Sequence, residues 1–295
     1  MTKAHRHTIF LEDAEILSHQ AFAAQQFIMR VQAPKCADAA RAGSFAHIQC
    51  DPQLPMRRPI SIMRASKESG WVDFLYKIEG EGTRLLSTRQ VGESISVLAP
   101  IGKTFEMPPS HCKPLLIGGG VGIPPMIFLA EQLKAAANYQ PLVLMGSEIP
   151  FPFKTKPSQI MLEGIDQSVI AAMPLLDDWN IPSRLASLQN YAGCYQGYVT
   201  ELAEQWLESM NTEERKSVEI FACGPHPMLK AVAKLASDYN LRCQVSLEEY
   251  MACAVGGCAG CVVKVQTADG PAMKRVCVDG PVFEAQSVFE FIKVS

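Results

Sequence analysis

The sequence predicts a β + α/β chain: an antiparallel barrel, then a doubly wound parallel sheet, then a small C-terminal lobe. Three observations predict it. Up to about Met107 the apolar residues come in short alternating runs separated by Gly and Pro, as in short antiparallel strands joined by turns. From Lys113 to Leu247 apolar runs alternate with helical periodicity, the pattern of strands and crossover helices in a parallel sheet. From Glu248 onward cysteine and glycine crowd together and the periodicity fades. The divisions fall at 1–110, 111–247 and 248–295, and 295 residues suit two or three such units.

In the first part the strand-like runs are Phe27–Val31, Phe45–Ile48, Ile60–Met63, Trp71–Ile78 and Ile95–Leu98, punctuated by Pro34, Gly43, Pro52, Gly80, Gly92 and Pro100. In the second, Leu115–Ile117, Leu142–Met145, Val169–Met173, Val218–Cys223 and Arg242–Leu247 read as strands. Helical patterns run through Lys134 and lie near Val199–Ser209 and Pro227–Asp238. The last part is too short to close a large core, so an inorganic nucleus is expected there. Its only later periodicity is the tail Val288–Val294.

Composition narrows the function classes. Hydrophobic residues at 48% and charged residues at 19% exclude global disorder. A net charge of −3 without a basic block argues against nucleic acid and acidic membranes as partners. No signal-peptide h-region stands near the N-terminus. The longest uncharged stretch, Leu115–Ala130, holds four Gly and two Pro and falls short of a membrane span. A cytoplasmic chain is expected, in which ten cysteines are thiols or metal ligands rather than disulfides.

Cys253, Cys258, Cys261 and Cys277 have the spacing C-x4-C-x2-C-x15-C, the plant-type pattern for a [2Fe–2S] cluster. The residues between the first three are small, chiefly Gly and Ala, which lets backbone amides approach sulfur without side-chain bulk. Structural zinc more often uses two C-x2-C knuckles, and only one occurs here. Five of the other six cysteines (36, 50, 112, 194 and 243) read as ordinary thiols.

Ile117-Gly118-Gly119-Gly120-Val121-Gly122 follows an apolar run and opens a helical pattern. Such a loop either brings a phosphate to a helix N-terminus or is a plain strand-to-helix turn. Ile123 stands where the third glycine of the dinucleotide fingerprint would be. Ala222-Cys223-Gly224-Pro225 at a second strand end favours the ligand reading. In the barrel part, Arg57-Arg58-Pro59-Ile60-Ser61 could bind phosphate or be a basic turn. Leu75-Tyr76-Lys77 ends a strand, and Thr83, with Gly82 beside it, is expected to cap a helix over Arg84–Thr88. Glu148, soon after the second strand of the α/β part, is placed where an acid meets the ribose of NAD. It could equally be a solvated loop charge.

In this order the motifs resemble the ferredoxin–NADP reductase superfamily. Within it the chain looks most like the electron-transfer subunits of heteromeric, NAD-dependent dihydroorotate dehydrogenases, which share R-P-I-S at Arg58–Ser61 and the segment Arg275–Phe283 around the last cysteine. The resemblance implies FAD on the barrel, held at Arg58, Pro59, Ile60, Ser61, Leu75, Tyr76, Lys77, Gly82 and Thr83. It implies NAD at Gly118, Gly119, Gly120, Gly122, Gly224 and Pro225, with Cys223 near the nicotinamide unless it is only a core residue. It further implies an FMN-containing catalytic subunit as partner, in a heterotetramer, with electrons reaching NAD through the cluster and FAD in pyrimidine biosynthesis. A different partner, such as a hydrogenase, sulfite reductase or NADH:ferredoxin oxidoreductase, is the alternative within the superfamily. A colourless zinc-stabilised binding protein is the alternative outside it. The sequence departs from the family at Ser187–Gly193, where an acidic, glycine-containing segment is usual.

Overall fold

The structure, a computed structural model, describes residues 8–110, 112–136 and 138–290. Strands β1 (Phe10–Phe22), β2 (Gln26–Gln32), β3 (Phe45–Gln49), β4 (Arg58–Ser66), β5 (Trp71–Lys77) and β6 (Ser94–Ile101) close an antiparallel barrel in the order β1-β2-β5-β4-β3-β6. Short helices α1 (Pro34–Ala39) and α2 (Glu81–Leu86) lie in its connections. The alternation works as expected: Ala14, Ile16, Met29, Val31, Ile48, Ile62, Val72 and Phe74 are fully buried. Long β1 was not legible as a strand. Its outward positions carry Asp13 and Glu15, and Glu12 on the inward side accepts from the Lys35 and Cys36 N–H groups, so the charges masked the period.

The second unit contains β7 (Lys113–Gly119), α3 (Ile123–Lys134), β8 (Leu142–Gly146), β9 (Lys156–Pro157), β10 (Ala171–Ala172), α4 (Pro174–Asp178), β11 (Ser183–Ser187) and β12 (Tyr195–Gln196). It continues through α5 (Val199–Glu208), α6 (Thr212–Arg215), β13 (Val218–Cys223), α7 (His226–Asp238) and β14 (Arg242–Ser246). The sheet order is β12-β11-β8-β7-β13-β14, parallel throughout. The expected strand Val169–Met173 is corrected. All but Ile170 of those residues are buried, yet only Ala171–Ala172 pair, with β9, outside the main sheet. The sheet position belongs to β11, with the sequence Ser-Arg-Leu-Ala-Ser.

Helix α3 is buried on almost every side, including Met126, Phe128, Leu129 and Ala130. A helix apolar all round must be covered all round, and α3 lies between the parallel sheet and β4 of the barrel. An ion pair from Arg64 to Glu131 at 2.6 Å pins the contact. The barrel is thereby held against the sheet by a buried helix rather than by a loose linker.

The C-terminal part forms the hairpin β15 (Val262–Thr267) and β16 (Gly270–Arg275), then α8 (Val276–Asp279), β17 (Val282–Glu284) and α9 (Ala285–Val288). Strand β17 pairs antiparallel with β14 and becomes the seventh strand of the large sheet. The run expected at Val288–Val294 falls on α9 at its start and beyond Glu290 lies outside the described residues. No helix among the described residues is long and apolar enough to cross a membrane.

Candidate functional site

The parallel strands advance from β7 to β8 and β11 on one side, then restart on the other side of β7 with β13. Ligands of open α/β sheets sit at such a reversal, outside the carboxyl ends of the strands. Here Gly118 pairs with Cys223 across the reversal. The chain then turns through Gly120–Gly122 into α3, whose start carries Pro at the first positions. Gly120 has φ +55 with open space where a side chain would be, a conformation glycine adopts without cost. Gly122 meets a different demand. A Cβ there would collide with the carbonyl of Cys223. The glycine loop and the Cys223-Gly224-Pro225 end are thus one crevice, with the N-terminus of α3 facing it.

Cys223 itself is fully buried. Burial pushes its thiol well above the ordinary value; the nearby Glu248 carboxylate acts the same way, against a smaller opposing pull from Ser246. It is a neutral thiol and not an activated nucleophile. Neither Glu248 nor Ser246 was legible as a partner, since the chain brings them to Cys223 only through the pairing of β14 with β13.

In the barrel, β4 and β5 pair from Ile62↔Phe74 to Ser66↔Trp71. Before that point Arg58–Ser61 pair only with β3, and after it Leu75–Lys77 pair only with β2. The two strands therefore part where the two expected motifs stand, and leave a gap lined by unpaired backbone groups. Such groups need a partner, and a flavin edge rich in donors and acceptors suits them. Leu75 and Tyr76 point to opposite faces of β5 and both side chains are buried, at 2% and 3% exposure. Only their backbone can meet a ligand. The Tyr76 hydroxyl donates to His19 Nε2 at 2.7 Å while His19 Nδ1 donates to the Arg89 carbonyl at 2.9 Å, and Tyr76 stacks on Phe27.

The adjacent arginines divide their tasks. Arg57 donates to the His47 and Ser96 carbonyls and to Ser96 Oγ, holding β3 to β6. Arg58 bonds through Nη1 to the nearby Met56 and Arg57 carbonyls and lays its guanidinium against Gly82, where any Cβ would press into it. The expected cap at Thr83 is corrected. Helix α2 begins at Glu81 behind Gly80, and Thr83 lies inside its first turn, accepting from the Glu79 N–H at 3.0 Å. Gly80 already has the extended backbone of a cap, so Thr83 can reach back to it. Gly82 and Thr83 still stand beside Arg58, on the side of the β4/β5 gap.

In the third part the four cysteines converge in two pairs. The Cys258 N–H donates to Cys253 Sγ at 3.4 Å, and the Gly260 N–H donates to Cys258 Sγ at 3.4 Å. The Cys253 thiol is held down to about 7: burial opposes this, and the N–H groups of Cys258, Val255 and Gly257 outweigh it. Cys277 is pushed up to about 12, first by burial and then by its neighbour Cys261. Ala254 and Ala259 take left-handed φ values of 56 and 53, turning the loop so that its amides face inward. Among the described residues no three His, Cys, Asp or Glu side chains form a single-ion group. Paired thiols within an amide cage fit two irons, one for each pair.

Residues 248–289 match the iron–sulfur cluster binding domain of dihydroorotate dehydrogenase B. The electron transfer subunit of dihydroorotate dehydrogenase B (NAD(+)) from Caldanaerobacter subterraneus subsp. tengcongensis is 32% identical, over 83% of this chain and 86% of the relative. The subunit of the same name from Desulforamulus reducens is 31% identical, over 94% of this chain and 97% of the relative. The chain belongs to this family. A solved NADH-dependent reduced ferredoxin–NADP oxidoreductase, studied for flavin-based electron bifurcation, superposes with TM-score 0.73 at 26% identity, over 94% of this chain and 90% of that one. The ferredoxin reductase of carbazole 1,9a-dioxygenase has the same fold at TM-score 0.61 and 20% identity, over 79% of this chain and 67% of its own. Membership in the dihydroorotate dehydrogenase B electron transfer family accords with the fold read from the sequence and with FAD, [2Fe–2S] and NAD as the cofactors.

Proposed function

We propose that this chain carries electrons between a catalytic partner that oxidises dihydroorotate and NAD⁺, as a step of pyrimidine (UMP) biosynthesis. Its family supports this partner over a hydrogenase or sulfite reductase. The observation that carries the proposal is a juxtaposition: β5 packs against the Gly120–Gly122 turn, so the β4/β5 gap opens beside the crevice of the parallel sheet. A flavin in the gap and a nicotinamide in the crevice would be neighbours. We assign FAD to residues 1–110, NAD to 111–247 and the cluster to 248–295, and the partner to an FMN-containing subunit in a heterotetramer.

When bound, the flavin exchanges hydride with nicotinamide and single electrons with an iron–sulfur centre. The chain's own residues bind and orient. Arg58 offers a charge-assisted contact to phosphate. Gly118, Gly119, Gly120 and Gly122, with the start of α3, receive the dinucleotide phosphates, while Gly224 and Pro225 wall the other side. Cys223 underlies the strand end as a buried neutral thiol. Pro59, Ile60 and Ser61 offer the edge of the gap, and the amides around Cys253–Cys261 stabilise charge on sulfur.

Dihydroorotate-dependent reduction of NAD⁺ by this chain together with its FMN-containing partner tests the reading; no reduction by the reconstituted pair would refute it. Two variants probe the sites. Arg58→Ala lowers FAD retention by roughly 1.5–3 kcal/mol, the range for a charge-assisted hydrogen bond. The flavin released on denaturation is FAD, measured by chromatography, and release of FMN alone would contradict the assignment. Glu148 is exposed on the loop after β8, where a carboxylate repels the extra phosphate of NADP by more than ~1 kcal/mol. NADH is therefore the better substrate in diaphorase assays, and Glu148→Arg narrows the difference. An unchanged ratio removes Glu148 from the explanation.

A further inference from the structure

The loop that carries Glu148 is held from outside its own domain. Ser147 to Phe151 follows β8 at the carboxyl edge of the sheet, where the adenosine ribose of a dinucleotide is met. On the sheet side, the Ser147 N–H donates to the Ala186 carbonyl at 3.1 Å and Ser187 Oγ donates to the Ser147 carbonyl at 2.7 Å. Ser147 Oγ donates to the Ile149 carbonyl at 2.7 Å, closing the turn around exposed Glu148. On the other side the loop meets the barrel. Gln26, the first residue of β2, is 3% exposed, and its Nε2 donates to the Pro150 carbonyl at 2.7 Å and to the Ala23 carbonyl at 3.0 Å. Phe151 is buried in the same apolar core as the barrel residues.

The barrel reaches this loop at a strained place. Ala24 and Gln25, at the tip of the β1–β2 hairpin, are consecutive non-glycine residues at φ 56 and φ 58. A left-handed backbone without glycine persists only where its surroundings impose it. Here both bonds of the Gln26 amide impose it: one closes the tip on Ala23, the other ties the tip to Pro150. Gln26 also stands opposite Lys77, the last residue of the strand that edges the flavin gap. One buried amide thus joins the flavin side of the molecule to the ribose side.

We propose that Gln26 is a positioning residue for dinucleotide recognition, acting across the domain junction by fixing the Ser147–Phe151 loop and its Glu148. This rests on the NAD reading given above. Among the described residues the side-chain bond to the Pro150 carbonyl comes from Gln26, and freezing the loop before ligand arrives lowers the ordering cost of binding.

The test is rapid-mixing reduction of the flavin by NADH and by NADPH in the intact holoprotein, which separates the dissociation constant from the limiting rate. In Gln26→Ala the Kd for NADH rises roughly three- to tenfold, the worth of one hydrogen bond. The limiting rate changes less than twofold. The Kd for NADPH rises less, so discrimination falls. Pro150→Gly keeps the carbonyl that Gln26 bonds but frees the backbone of the same loop, and is expected to give a smaller shift in the same direction with full FAD content. The double variant falls short of the product of the two single effects, since both act on the same loop. Should Gln26→Ala lose its flavin, the near-isosteric Gln26→Glu, which cannot donate when ionised, decides in its place. An unchanged NADH Kd and an unchanged NADH:NADPH ratio in a Gln26 variant that keeps its flavin overturn the proposal. A wild-type flavin that NADH does not reduce overturns the NAD reading itself, and the proposal with it.

Discussion

Cys277→Ser removes the cluster and loosens the C-terminal lobe while the barrel keeps its flavin. Cys277 is 2% exposed at the start of α8, where the Val276 N–H donates to the Cys261 carbonyl at 2.9 Å. It lies in the same apolar cluster as Phe283 of β17. A lobe with so few apolar residues draws its folding energy from the metal, so loss of one ligand costs the lobe about 4 kcal/mol or more. Iron and acid-labile sulfide should fall from two of each per chain to near zero, and amide exchange should quicken through β15, β16 and β17. FAD content stays close to that of the wild type, because Arg58 and Gly82 stand on β4 and α2 of the barrel, outside this lobe. Retention of both irons in the serine variant would show that Cys277 is not a ligand.

Gly122→Ala is the second large effect. The added methyl would occupy the place of the Cys223 carbonyl and crowd the Gly224 N–H, both backbone and unable to rotate away. The end of β13 must move from β7, against the pairing of Cys223 with Gly118. Overpacking of this kind costs about 1–3 kcal/mol, and the crevice changes shape with it. Thermal melting should show the loss of stability, and NADH reduction of the flavin should weaken more than tenfold. By contrast Gly120→Ala, where the space is open, pays only for its left-handed backbone. Gly122→Ala with normal stability and normal NADH affinity would break the link between this glycine and the dinucleotide crevice.

The two variants differ in how far their causes could be read from the chain. The cysteine set that includes Cys277 was legible because ligand spacing is a largely local property: C-x4-C-x2-C places three thiols within one loop, and Cys277 completes the spacing C-x15-C. The glycine loop was legible as a turn, but its partner was not. That Gly122 faces the Cys223 carbonyl follows from β13 lying beside β7, a pairing of residues about a hundred positions apart. Tyr76 was rightly placed at the end of its strand, yet its ring belongs to the barrel core with Phe27 and His19. Only register reveals which groups of such a residue remain for a ligand.

By itself the sequence determined the three-part order, the barrel and parallel-sheet patterns, and the four-cysteine spacing of the last part, because each is written in neighbouring residues. Apolar periodicity, however, records burial and not pairing. Val169, Ala171, Ala172 and Met173 are all buried, as their apolar character demands, but they fill the core beside the sheet. The strand is β11, where Ser183, Arg184 and Ser187 are buried polar residues. They are tolerable there because the Ser183 hydroxyl accepts from the Met173 N–H, Arg184 donates to the Ser183 and Ile160 carbonyls, and Ser187 donates to the Ser147 carbonyl. Tertiary structure alone decided this strand, the parting of β4 from β5, the addition of β17 to the sheet and the bond from Gln26 to Pro150. Each rests on hydrogen bonds between segments far apart in the chain, and a backbone amide carries no residue type by which its distant partner could be read.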